Sequence, residues 1–113
     1  MTEAQRALTL ARDSKQRGLE AWALRLLGTI AAQQEPPAVE QAAAHYRQAM
    51  AIANELDMRP LLAHCHLDRG ILYRRLGRRE AARAELSTAM ALYRAMAMAF
   101  WFSRAEAELA QVE

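Results

Sequence analysis

The chain has 113 residues, a formal net charge of +2, 53% hydrophobic residues and a single cysteine. That length suits one domain with a modest core, and a small, mixed-sign charge gives no bulk attraction to nucleic acid or to a membrane surface. No apolar stretch approaches the ~20 residues that span a bilayer, the charged opening "MTEAQRALTLARDSKQRG" is no signal peptide, and one unpaired cysteine, Cys65, points to a reducing cytoplasm.

Ala, Leu, Met, Arg, Glu and Gln dominate, and these residues lose little side-chain entropy in a helix, so the chain reads as all-α. Gly18, Pro36–Pro37, Pro60, Gly77 and a softer break near Met98 cut it into six runs. In chain order these predict helices at about 2–16, 19–34, 37–56, 60–76, 79–96 and 99–112. Proline fits a helix's first turn and glycine fits the left-handed residue just past its end. The connections are short, so consecutive helices must run antiparallel.

The chain repeats itself. A shift of 40 lays Ala42, Tyr46 and Ala49 on Ala82, Leu86 and Ala89, and Leu61 and Leu62 on Trp101 and Phe102. A shift of 42 lays Leu10 on Ile52 and Gly28 on Gly70, the two-residue difference falling in the loop "QQEPP". The unit is a helical hairpin. A small residue, Gly28 or Gly70, lets the second helix approach, and Ala–x3–large–x2–Ala lies on one face of that second helix. The expected seam residues are Gly28, Ala42, Tyr46 and Ala49, then Gly70, Tyr73, Ala82, Leu86 and Ala89.

Those residues resemble the tetratricopeptide repeat. The longer period is similar to the long-helix repeats at the C-termini of bacterial cyclase/ATPase signalling proteins and of maltose-regulator-like activators. The resemblance implies one domain over 1–113, a stack of hairpins wound as a right-handed superhelix with a concave groove. By register, the groove would be lined by Trp22, Arg25 and Thr29, by His64, Leu67, Ile71, Arg74 and Arg75, and by Arg104. Arg69 departs from the family pattern beside Gly70 and needs a partner, Asp68 or Glu85. The first run would be the second half of a hairpin.

"HCHLD" holds His64, Cys65, His66 and Asp68, but helical geometry aims them in different directions and a structural metal site needs about four converging ligands. They read as packing residues, with no metal or cofactor. The basic turn "RRLGRRE" reads as a solvated turn whose Arg78 and Arg79 meet Glu80 or Glu85. It lacks the interleaved aromatics of a nucleic-acid surface. Phe100, Trp101 and Phe102 cannot all face one side of a helix, so part of this cluster is left over for contact with another copy. No catalytic set or phosphate loop is found, so no enzymatic activity is expected. The sequence thus predicts a cytoplasmic, non-catalytic module that binds a protein or peptide in its groove. One alternative is a homo-oligomerising structural piece; another is a sensor tail that regulates a cyclase/ATPase domain.

Overall fold

A computed structural model describes residues 2–112, and among them all regular structure is helical. The helices are α1 (Glu3–Asp13), α2 (Arg17–Ala32), α3 (Val39–Glu55), α4 (Arg59–Arg75), α5 (Arg79–Ala95) and α6 (Ala99–Ala110). The chain gathers into two compact units, Met1–Leu61 and Leu62–Glu113, with the boundary inside α4.

α1 starts in a capping box. The Thr2 hydroxyl accepts from the Gln5 amide at 3.1 Å, and the Gln5 side chain accepts from the Thr2 amide at 2.8 Å. Two orphan amides are satisfied reciprocally, which fixes the helix start.

The turns after α1, α3 and α5 share one backbone device. Lys15, Asp57 and Ala97 sit in the left-handed region at φ 57°, 56° and 56°. In each turn the next amide reaches back to a helical carbonyl: Gln16 to Ala11 at 2.8 Å, Met58 to Ala53 at 2.7 Å and Met98 to Tyr93 at 2.9 Å. This six-to-one closure satisfies carbonyls that a helix end leaves orphaned. The three left-handed residues recur at the sequence's own shifts of 42 and 40, so the repeat is written in backbone conformation as well as in side chains.

This device corrects the reading of Gly18. The glycine does not terminate α1; it lies in the first turn of α2, while Lys15 makes the turn. Only Gly77, at φ 76° between α4 and α5, is a glycine placed by its left-handed freedom. A side chain in that region costs about 1–2 kcal/mol. Ala97→Gly should therefore raise stability by about 0.5–1 kcal/mol, and Gly77→Ala should lower it, as read by thermal denaturation.

In the first unit the core lies between α2 and α3 and is closed by α1. Gly28 is packed so tightly against Tyr46 that an added Cβ would lie 2.7 Å from its ring. Ala42, Tyr46 and Ala49 on α3 are fully buried, and the Tyr46 hydroxyl meets that of Thr29 at 3.1 Å. The second unit repeats the arrangement. Gly70 approaches Leu86, where an added Cβ would lie 2.7 Å from its branch carbons. Ala82, Leu86 and Ala89 are buried with Ala63, Leu67, Tyr93, Ala105 and Val112. Tyr73 is half-buried at the edge of that core, with the Arg78 guanidinium 5.9 Å from its ring centre.

Candidate functional site

The first unit carries an uncovered apolar face. On α2, Leu19, Trp22, Leu26 and Ile30 recur at helical spacing on one side and remain exposed, Trp22 at 42%. On α1, Ala7 and Leu10 flank them. Between the two helices runs a cleft of about 480 Å³ lined by Ala7, Leu10, Leu19, Trp22, Ala23 and Leu26. A recess of about 420 Å³ continues it past Trp22, Arg25, Leu26 and Thr29.

Ser14 and Gln16 add polar groups to the lining of the cleft, and Arg25 lines the recess. The Arg25 guanidinium stands 5.9 Å from the Trp22 ring centre, within reach of its π face. Arg12 donates to Glu20 at 3.0 Å, and Arg17 pairs with Glu55. On α3, the Nδ1 of His45 is buried without a hydrogen-bond partner. Burial and the nearby Arg12 guanidinium hold that imidazole's pKa below its ordinary value. A wide apolar floor with a polar margin is the anatomy of a docking surface.

The residues expected to line a groove do not share one environment. Trp22, Arg25 and Thr29 stand together at the recess of the first unit. In the second unit His64 and Leu67 are core residues, 8% and 2% exposed, and offer no face to a ligand. The His64 imidazole bonds the Tyr93 hydroxyl at 2.6 Å and lies 4.7 Å, edge-on, from Trp101. Ile71 packs at the margin of the same core. Arg74 donates to Glu108 at 3.1 Å, and Arg104 lies 3.7 Å from the same carboxylate. Arg75 is exposed.

The aromatic cluster divides as three consecutive helical residues must. Phe100 is 71% exposed, Trp101 packs on His64 and Tyr93, and Phe102 lies half-buried with Arg94 stacked 5.0 Å from its centre. Arg69 finds Glu85, which also accepts from His66 at 3.2 Å. Cys65 is buried. Among the described residues no three His, Cys, Asp or Glu side chains converge as metal ligands would. No helix among them is long and apolar enough to cross a membrane.

Leu10, Leu19, Leu26 and Ile30 escape a reading by composition, because exposed leucines look like core leucines. The repeat register carries no signal of it either: Leu10 falls on Ile52, which is buried one repeat on, whereas Leu10 is 67% exposed. What the site offers is therefore exposed apolar area with Arg25 at its edge. No protein-family model, no curated protein and no solved structure matches this chain.

Proposed function

We propose that this chain is a non-catalytic protein-interaction module of the tetratricopeptide type, its hairpins stacked as a right-handed superhelix. Its docking surface is the apolar face of α1 and α2, not a groove through α4. The observation that carries this reading is the row of exposed Leu19, Trp22, Leu26 and Ile30 beside a cleft of about 480 Å³. An amphipathic helix presents apolar side chains at the same spacing and fits such a cleft. The recurrent turn at Lys15, Asp57 and Ala97 and the matching seams at Gly28 and Gly70 support the repeat type.

Capture from a lysate of the native cell tests the reading. Immobilised wild-type protein should retain a defined protein that is lost on the double variant Trp22→Ala/Leu26→Glu and kept by Arg75→Ala. Equal retention by wild type and the double variant would contradict it.

A further inference from the structure

Each first-type helix of the hairpin (α2, α4, α6) has two faces in the repeat register. One runs through Leu61, Cys65 and Leu72 on α4 and through Trp101 and Ala105 on α6 to Val112 in the turn after it. On α4 these side chains are at most 1% exposed. On α6 and the turn after it the same face packs into its own unit, with Ala105 and Val112 buried and Trp101 against His64. The equivalent face of α2 is Leu19, Ala23 and Ile30, and there Leu19 is 56% exposed.

The other face meets the second helix of the hairpin. On α4 it is Ala63, Leu67 and Gly70, all buried against α5 through Leu86 and Ala89. On α6 the register equivalents are Ser103, Ala107 and Ala110, and all three are exposed. The second-type helices show the reciprocal gap. Ala49 and Ala89 are fully buried, but their equivalent on α1, Ala7, is exposed beside Leu10. The chain thus holds a first-type helix whose small-residue face is exposed and a second-type helix on which Ala7 and Leu10 are left uncovered.

We infer that copies of this chain join head to tail, α6 of one copy lying in the α1–α2 cleft of the next. The joint rebuilds the hairpin seam from two molecules, with the small-residue face of α6, Ala107 foremost, set against Ala7 and Leu10 of α1. Phe100, on the same open side of α6, adds apolar area to the contact. The inference rests on reading the α1–α2 face as a docking surface and names its occupant. Such a joint is heterologous, because the two contacting patches differ, so it builds rings or open chains rather than face-to-face dimers. The register also places Glu106 at the position of His66 and Glu3 at that of Glu85. Where His66 meets Glu85 within the chain, the joint opposes two carboxylates, which keeps it weak and reversible.

Sedimentation velocity of the whole chain, up to millimolar protein, tests this. Wild type should self-associate. Ala7→Arg closes the cleft and Ala107→Arg blocks α6; both positions are solvent-exposed, so neither change should lower the melting temperature. Each variant alone should be monomeric. Mixed in equal amounts they should form a dimer and nothing larger, because one intact cleft then meets one intact α6. Glu106→Lys should strengthen association about tenfold, the effect of ~1.4 kcal/mol. Monomeric wild type, association by Ala107→Arg alone, or no dimer in the mixture would each overturn the joint. Weakening by Glu106→Lys would overturn its register. Lysate capture through Trp22 is scored separately, so a monomeric chain that still loses its partner in Trp22→Ala/Leu26→Glu would sink the joint and leave the docking surface standing.

Discussion

Alanine at Gly70 or Gly28 should lower the melting temperature, while alanine at Gly18 should raise it. All three glycines lie in helices, where glycine costs about 1 kcal/mol relative to alanine, so propensity alone predicts three gains. Space decides otherwise. At Gly70 the new methyl would lie 2.7 Å from Leu86 and 3.3 Å from the Glu85 Cβ. At Gly28 it would lie 2.7 and 2.8 Å from ring carbons of Tyr46, a ring also tied to Thr29 through its hydroxyl. Overpacking of this kind costs about 1–3 kcal/mol and forces a backbone shift along a whole helix. At Gly18 the nearest atom is the Met58 Cε at 3.8 Å, an ordinary contact. After the propensity gain, a net loss of up to about 2 kcal/mol is expected at Gly70 and Gly28, and a gain below about 1 kcal/mol at Gly18. Melting curves followed by circular dichroism check the signs; a shift of the same sign at all three positions would mean that the seams are not where this structure puts them.

The second large effect concerns Glu85. Burial alone would push its carboxyl upward, but hydrogen bonds from His66 and Arg69 outweigh that and hold its pKa below the ordinary value of 4.5. Arg69 is raised, chiefly by the same bond to Glu85. Glu85→Ala leaves the half-buried Arg69 and His66 without their acceptor and should cost about 2–3 kcal/mol. The pH dependence follows from the direction of the shift. A carboxyl that binds protons less tightly when folded contributes stability above its unfolded value, and loses it as pH falls through the lower folded value. His45 acts at higher pH. Its folded pKa lies below 6.5, so the unfolded chain takes up the proton first and stability falls as pH drops below that point. Urea midpoints against pH should therefore show two successive losses on acidification. Glu85→Gln should flatten the lower one and His45→Gln the upper one; an unchanged profile in either variant would contradict the corresponding environment.

Six helices were legible because proline and glycine mark most of the breaks and the intervening runs hold good helix formers. The first turn was misplaced because its left-handed residue is Lys15, which carries no sequence signal for that conformation; the glycine three residues on drew attention instead. The seams were legible because a glycine facing a large residue recurs at fixed offsets. The environment of α4 was not. That helix is buried on two faces, so its apolar pattern lacks one clear stripe, and His64 and Leu67 look like surface residues when only register is used. Arg74 looked like a free donor because its acceptor, Glu108, is 34 positions away. The exposed face of α1 and α2 was equally hidden, since Leu19 and Leu26 differ from buried leucines only in what covers them.

A double-mutant cycle on Gly70 and Leu86 probes the repeated seam most directly, and the register of both open faces depends on that seam. Leu86→Ala alone should cost about 2–5 kcal/mol by leaving a cavity, and Gly70→Ala alone should cost less through overpacking. If the two side chains face each other as described, the new methyl enters the vacated space, and the double variant should be more stable than the sum of the singles by about 1 kcal/mol or more. Strict additivity would place Gly70 and Leu86 apart and contradict the account.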